Sequence, residues 1–127
     1  MSEVVLDASA LLALLNAEPG AESVALHMPD VVMSTVNLAE VVAKLTETGM
    51  SEREIRKTLS GLGIRLAPFD AELAFQCGLL RSRSRHLGLS LGDRACLSLA
   101  RQLGAVALTT DSAWTRLKDG PKVEVVR

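Results

Sequence analysis

The chain has 127 residues, of which 48% are apolar and 23% charged, and its formal net charge is −1. These values are typical of one globular domain and exclude a disordered, collagen-like or coiled-coil chain. The chain also lacks the overall positive charge of a general nucleic-acid binder, although a local basic surface is compatible with it. Cys77 and Cys96 are far apart and have no metal-ligand spacing, so we expect reduced thiols in the core.

The N-terminal segment gives no indication of export or membrane insertion. It has no basic stretch ahead of a long apolar run, as a signal peptide has. No run approaches the roughly 20 apolar residues that cross a bilayer. We therefore expect a cytoplasmic protein.

Short apolar runs alternate with helical patterns along the chain. The runs predicted to be strands are residues 4–6, 31–33, 64–67, 105–109 and 123–126. The segments predicted to be helices are residues 8–16, 21–27, 35–48, 52–60, 71–85, 91–103 and 112–117. This alternation predicts an α/β fold, a three-layer α/β/α sandwich with a mainly parallel central sheet, as a single domain over residues 1–127. The sequence has no dinucleotide-binding or P-loop glycine pattern.

Four acidic residues lie where a strand is predicted to end or a helix to begin: Asp7, Glu40, Asp93 and Asp111. The carboxyl ends of parallel strands are the usual ligand-binding edge of such a sheet. Carboxylates gathered there repel one another unless they share a hard cation such as Mg²⁺ or Mn²⁺. Two hydroxyls, those of Ser9 and Thr109, are close enough in sequence to orient a carboxylate or a water at the metal. A divalent-metal site is the leading functional hypothesis.

Each acid also has a structural alternative. Asp7 and Asp111 can each serve as the N-cap of the helix that follows, and Asp93 can form a capping box with the serine three residues earlier. Glu40 belongs to an apolar helical segment that we expect to be largely buried, where an unpaired carboxylate is costly. The alternative for Glu40 is a place on the polar face of its helix, near Asn37 and Lys44.

Positive charge is densest between residues 81 and 86. Arg81 and Arg85 share a helical face, and Arg94 directly follows Asp93, so these three are the candidates for contact with substrate phosphates. The alternative for the basic stretch is a solvated helix end, where the helix dipole favours basic residues. The alternative for Arg94 is an ion pair with a nearby acid.

Four segments, each with one of the acids, carry a family resemblance. They are VVLDASALL at residues 4–12, STVNLAEV at 34–41, LSLGDRA at 89–95 and LTTDSAW at 108–114. In this order they resemble the PIN-domain nucleases, and within them the VapC-type toxins of bacterial and archaeal toxin–antitoxin pairs. The resemblance covers nearly the whole chain, and the four segments together are specific where any one alone is weak.

The resemblance implies a metal-dependent endoribonuclease that cleaves RNA phosphodiester bonds with a metal-activated water, with Mg²⁺ or Mn²⁺ as cofactor. It also implies a homodimer, and inhibition by a cognate antitoxin protein that occupies the active-site groove. The family's acidic quartet and accessory hydroxyls match Asp7, Glu40, Asp93, Asp111, Ser9 and Thr109. Asp111 is the weakest candidate for a direct ligand, because helix capping competes there.

Two other classes of function stay open. A receiver-like signalling domain also gathers acids and Mg²⁺ at strand ends, but it requires an adjacent acidic pair after the first strand, where this chain has Asp7 followed by Ala8. A non-catalytic binding module would use the acids as caps and salt-bridge partners. Metal titration separates this module from an enzyme, because it predicts no stabilisation of the fold by Mg²⁺ or Mn²⁺.

Overall fold

Within residues 3–127, the central sheet has five strands, all parallel. A computed structural model describes residues 3–127, so the first two residues of the expected 1–127 domain lie outside the described residues. The strands are β1 (Val4–Leu6), β2 (Val31–Ser34), β3 (Arg65–Ala67), β4 (Val106–Thr109) and β5 (Val123–Val125). Their spatial order is β3-β2-β1-β4-β5, and every neighbouring pair is parallel. The predicted α/β/α fold with a parallel sheet is confirmed.

Helices connect the strands close to the predicted positions. They are α1 (Ala8–Leu15), α2 (Ala21–Ala25), α3 (Thr35–Glu47), α4 (Glu52–Ser60), α5 (Ala71–Ser84) and α6 (Leu91–Leu103). Two 3₁₀ helices follow α5 and β4, at Arg85–Leu87 and Ser112–Arg116. The segment predicted as a helix at 112–117 is therefore a 3₁₀ helix. Within residues 3–127, none of the helices has the length and apolar character that a membrane span requires.

Side-chain caps fix several helix ends where the sequence predicts them. Ser51 and Glu54 form a reciprocal capping box at the start of α4. Asp70 accepts a hydrogen bond from the Leu73 N–H at 2.9 Å and so begins α5. Helix α5 ends at Ser84, one residue before the predicted end. The Ser84 hydroxyl donates to the Leu80 carbonyl one turn earlier, a contact that competes with regular helix geometry.

The strands alternate their side chains between two helical layers. Val4 and Leu6 of β1 face a core formed with α1 to α4, in which Leu11 and Val41 are fully buried. Val5 faces the opposite core, formed with α5, α6 and the second 3₁₀ helix. Because successive strand residues point to opposite faces, a run of three apolar residues supplies both cores.

Both cysteines are buried and free. Cys77 lies on α5 and Cys96 on α6, so the prediction of reduced core thiols is confirmed. Burial raises the pKa of each thiol, so both stay protonated at neutral pH.

The order of the strands reverses at β1. From β1 the chain adds β2 and β3 on one side of the sheet, whereas β4 and β5 lie on the other side. In open parallel sheets a crevice forms outside the carboxyl ends of the two strands at such a reversal, and ligands bind there. The residues that follow β1 and β4, which include Asp7 and Asp111, lie at this crevice.

Candidate active site

Asp7 is buried directly after β1, at the point where the strand order reverses. Its N–H donates to the Leu108 carbonyl of β4 at 3.1 Å, and its carboxylate accepts from the Ala10 N–H at 2.8 Å. Only 5% of the residue is exposed. Asp7 is therefore the N-cap of α1, and the same carboxylate also faces the crevice. Capping and ligand binding are compatible roles here.

Two hydroxyls direct their protons at the Asp7 carboxylate. Ser9 Oγ donates to it at 2.8 Å, and Thr109 Oγ1 donates to it at 2.6 Å. Each hydroxyl oxygen in turn accepts a backbone N–H after β4, from Thr110 at 3.0 Å for Ser9 and from Asp111 at 3.1 Å for Thr109. These backbone donors orient the two hydroxyls, so the network fixes the position of the carboxylate between β1 and β4.

Burial raises the pKa of Asp7 from 3.8 to about 6. The hydrogen bonds from Thr109, Ala10 and Ser9 act in the opposite direction, and the negative charge of Asp93 adds a smaller increase. The Asp7 carboxylate is thus costly to ionise in the protein alone. A cation in the crevice would lower that cost.

Glu40 lies on the exposed face of α3, so the expectation of a largely buried side chain is wrong. Helix α3 buries Asn37, Val41 and Leu45, which are four residues apart and form a single stripe along the helix. Glu40 lies about 100° around the helix from Val41, and the apolar composition of the segment did not reveal this orientation.

Two contacts bring Glu40 to the start of α6. The buried Asn37 amide donates to Glu40 Oε1 at 2.9 Å and to the Gly92 carbonyl at 3.0 Å. A Cβ added at Gly92 would overlap the Glu40 carboxylate, so the lack of a side chain at this position admits the acid. The pair Asn37 and Gly92 therefore sets the distance between α3 and α6 at the crevice.

Asp93 belongs to the first turn of α6. Its Oδ2 accepts from the Ser90 N–H at 2.9 Å, and its own N–H donates to Ser90 Oγ at 3.1 Å. This is the predicted capping box. Its second carboxylate oxygen, Oδ1, makes no hydrogen bond within residues 3–127. That oxygen is available to a ligand.

Three of the predicted acids, Asp7, Glu40 and Asp93, line one open pocket of about 410 Å³. The nearby Cys96 thiol has a pKa well above the usual value, mainly because it is buried. The negative charges of Asp7, Asp93 and Glu40 add to this increase. Within the described part of the chain, no three His, Cys, Asp or Glu side chains are grouped closely enough to hold one ion as they stand. The acids share a pocket without forming a closed set of ligands.

Asp111 lies outside this pocket. It is exposed, and its Oδ1 accepts from the Ala113 N–H at 2.9 Å, which makes it the N-cap of the second 3₁₀ helix. Its connection to Asp7 runs through the Thr109 hydroxyl, which accepts the Asp111 N–H. The structure gives Asp111 the structural role that the sequence offered as its alternative.

Arg94 is buried between α5 and α6, with 8% of the residue exposed. Its Nη1 donates to the Cys77 carbonyl at 3.0 Å, and its buried Nε has no partner among the described residues. The guanidinium therefore packs against α5, and Arg94 does not line the pocket of the acids, so the structure does not bring this predicted phosphate contact to them.

Arg81 and Arg85 are exposed at the end of α5 and in the first 3₁₀ helix. That 3₁₀ helix packs against the second one, Ser112–Arg116, and neither arginine lines the pocket of the acids. The structure therefore does not bring these two predicted substrate contacts to the acids.

The cationic residue that does line the pocket is Lys44. It follows Glu40 by one helical turn, and sequence reasoning assigned it only to the polar face of its helix. Asn37, three residues before Glu40, was assigned in the same way. The i−3 and i+4 spacing from Glu40 was the available signal, since residues so spaced are neighbours on a helix.

Residues 4–120 match the family described as the PIN domain. The chain belongs to the PIN-domain family. The matched region of this PIN domain contains all four acids and both accessory hydroxyls. No curated protein matches it closely enough to count as a relative.

Solved structures share the fold of this PIN domain over almost its whole length. VapBC2 from Rickettsia felis, bound to a promoter DNA fragment, has a TM-score of 0.77 at 19% identity, with 98% of each chain covered. DNA-bound VapBC from Salmonella typhimurium has a TM-score of 0.75 at 18% identity, also with 98% of each chain covered. VapBC-1 from nontypeable Haemophilus influenzae has a TM-score of 0.69 at 21% identity, with 96% of each chain covered. At these identities the likeness establishes the fold alone.

Proposed function

We propose that residues 1–127 act as one PIN domain that is a metal-dependent endoribonuclease, the toxin of a type II toxin–antitoxin pair. The observation that carries the proposal is the pocket in which Asp7, Glu40 and Asp93 meet at the carboxyl edge of the sheet. Membership of the PIN-domain family supports a nuclease. The fold shared with several VapBC complexes supports the toxin assignment.

The donor set of the pocket fits Mg²⁺ or Mn²⁺, which prefer oxygen ligands. Asp93 Oδ1 and Glu40 Oε2 make no hydrogen bonds within residues 3–127, and the buried Asp7 forms no ion pair there. Asn37 holds Glu40 Oε1, so Oε2 is the oxygen of Glu40 that is left for an ion. A divalent ion bound there would lower the pKa of a water and offset charge on the scissile phosphate.

The residues around the pocket hold the acids in place before substrate binds. Ser9 and Thr109 orient Asp7, Asn37 holds Glu40, and the capping box holds Asp93. Groups positioned in advance do not pay a reorganisation cost during the reaction. We assign Asp111 an indirect role, because it supports the Thr109 hydroxyl through its N–H.

Two surfaces support the proposed protein partners. Besides the active-site groove that the resemblance assigns to the antitoxin, an apolar groove of about 840 Å³ between α3 and α4, lined by Val42, Ile55 and Leu59, is suited to a further antitoxin segment. Phe75 and Leu79, one turn apart on α5, are more than half exposed and are suited to a homodimer contact. We place the protein in the cytoplasm, where its RNA substrates are.

The receiver-like alternative does not agree with the order of the strands. Signalling domains of that class have the order 2-1-3-4-5, whereas β2 here lies between β3 and β1. The binding-module alternative stays an outcome of the metal titration described in the Discussion.

Cleavage of single-stranded RNA by purified protein tests the proposal. We expect cleavage in Mg²⁺ or Mn²⁺, none in excess EDTA, and none by Asp93→Asn with its circular dichroism spectrum unchanged. Asn keeps the capping hydrogen bond while removing the charge. Full activity of Asp93→Asn, or a wild type that never cleaves RNA in either metal, would refute the nuclease assignment.

A further inference from the structure

The pocket of the acids continues into a second pocket of about 530 Å³. The two share Ser9, Leu12 and Lys44, so together they form one groove between α1 and α3, which we call the α1–α3 groove. The acids Asp7, Glu40 and Asp93 line one end. The other end is lined by polar side chains that include Asn16, Thr48 and Thr110.

Lys44 lies where the two halves of the groove meet. Among the described residues that line the groove, it is the only one with a cationic side chain. Its side chain is 66% exposed, and its ammonium group is 4.0 Å from Glu47, an exposed i, i+3 pair of the weak kind. The ammonium group is therefore available to an anionic ligand.

The charges of the groove limit where a phosphate can bind. Three carboxylates lie at one end, and Glu18 and Glu47 line the other. A polyanion in the groove meets attraction only at Lys44 and at any cation that the acids hold. The charges of the groove therefore favour one phosphate contact beyond the acids, at Lys44.

We propose that Lys44 binds the phosphate next to the scissile one, so that an RNA single strand runs from the acids along the α1–α3 groove toward Asn16, Thr48 and Thr110. This inference rests on the proposed nuclease function. It assigns to Lys44 the substrate contact that the sequence suggested for Arg81, Arg85 and Arg94, none of which lines the groove.

The test measures binding of a fluorescein-labelled oligouridylate by anisotropy, in Mg²⁺ and at several salt concentrations. Every protein carries Asp7→Asn, so that the RNA is not cut. Adding Lys44→Gln should weaken binding about fivefold at about 0.1 M salt and reduce the slope of log K against log salt by about 0.7, the values for one lost phosphate contact on a single strand. Lys44→Arg, which keeps the charge, should retain most of the affinity and the slope.

Lys57→Gln is the matched control, because Lys57 is an exposed lysine on α4 that lines neither half of the groove. It should leave the affinity and the slope unchanged. In the otherwise wild-type enzyme, Lys44→Gln should raise KM and leave kcat unchanged, the result for a contact that is equally strong in the ground and transition states.

Three results would overturn the role of Lys44. They are unchanged binding by Lys44→Gln, weaker binding with an unchanged salt slope, and a fall in kcat without a change in affinity. If the wild type cleaves RNA and Lys44→Gln has the same affinity, salt slope and KM, the result refutes this contact alone. A wild type without metal-dependent cleavage refutes the nuclease function, and the contact with it.

Discussion

The negative charge of Asp7 destabilises the metal-free fold and favours binding of a cation. Its pKa is about 6 in the folded protein and 3.8 in the reference state, because burial opposes ionisation. Protonation of Asp7 therefore favours the folded state over the unfolded one. This contribution to stability is fully present below pH 3.8 and is lost as the pH rises through 6. At neutral pH the charge costs up to about 3 kcal/mol in the metal-free protein.

Asp7→Asn should therefore stabilise the metal-free protein at pH 7.5, by about 1 to 3 kcal/mol. Asn keeps a carbonyl oxygen for the Ala10 N–H and removes the buried charge. Urea unfolding in EDTA measures the change. Below about pH 4 the difference should disappear, because Asp7 is then protonated in the wild type. A variant that is less stable than the wild type at pH 7.5 would contradict the expectation.

Gly92→Ala should reduce cleavage strongly without unfolding the protein. The new Cβ overlaps the Glu40 carboxylate, which lies at the end of a flexible exposed side chain and can move away. Displacement of a catalytic group by about 1 Å can cost about 100-fold in rate. The measurement is kcat/KM for RNA cleavage beside the thermal midpoint.

Gly78→Ala on α5 provides the comparison for Gly92→Ala, because a Cβ there meets nothing within 4 Å. It should leave cleavage unchanged and stabilise the helix by roughly 0.5 to 1 kcal/mol. Equal loss of activity in both variants would show that an added methyl group reduces cleavage for reasons unrelated to Glu40.

Single residues differ in how far the sequence predicts them. Asp7 and Asp93 follow or begin elements with clear local signals, and the structure places both at the pocket. Arg94 is adjacent to Asp93 in sequence but lies about 100° away around α6, where it contacts α5, and adjacency in sequence does not reveal this. The sequence does not reveal Lys44 as a substrate contact, because that role depends on the groove formed with α1, which no local pattern encodes.

Helix boundaries are well predicted because their signals are local. The capping boxes at Ser51 and Ser90 involve residues three apart, so the sequence contains the whole interaction. The orientation of α3 was harder, because both Leu38 and Val42 are apolar yet only half buried. The buried stripe is set by packing against α1 and α6, and composition alone assigned Glu40 to the wrong side.

Asp111 gives a prediction at the scale of an element, the second 3₁₀ helix. Asp111→Asn should keep the stability of the wild type and most of its cleavage, because Asn caps as well as Asp. Asp111→Ala should lose about 1 kcal/mol, because the Ala113 N–H then has no acceptor. Cleavage assays and urea unfolding of both variants test this. Complete loss of cleavage in Asp111→Asn would instead make Asp111 a ligand.

The order of the strands belongs to the whole molecule and did not follow from the sequence. Alternating strands and helices predict a parallel sheet, but the position of β4 beside β1 depends on contacts between distant segments. That position creates the crevice at which the acids gather. The site was therefore predictable as a set of residues, while its geometry was not.

Metal binding should stabilise the whole folded protein. A ligand that binds only the folded state adds about 2.7 kcal/mol at a concentration of 100 times Kd. Thermal midpoints measured with increasing Mn²⁺ or Mg²⁺ should therefore rise for the wild type. They should stay constant for Asp93→Asn. Constant midpoints for the wild type as well would favour the non-catalytic binding module.

The hydrogen bond between Thr109 and Asp7 joins residues that are 102 positions apart. During synthesis on the ribosome, β1 has no β4 to pair with until residues 106–109 have emerged. A nascent or truncated chain that ends before β4 has Asp7 without its Thr109 donor and without the crevice. The proposed ribonuclease therefore becomes active only after β4 has been made, and its own ribosome and message are not exposed to a working site before then.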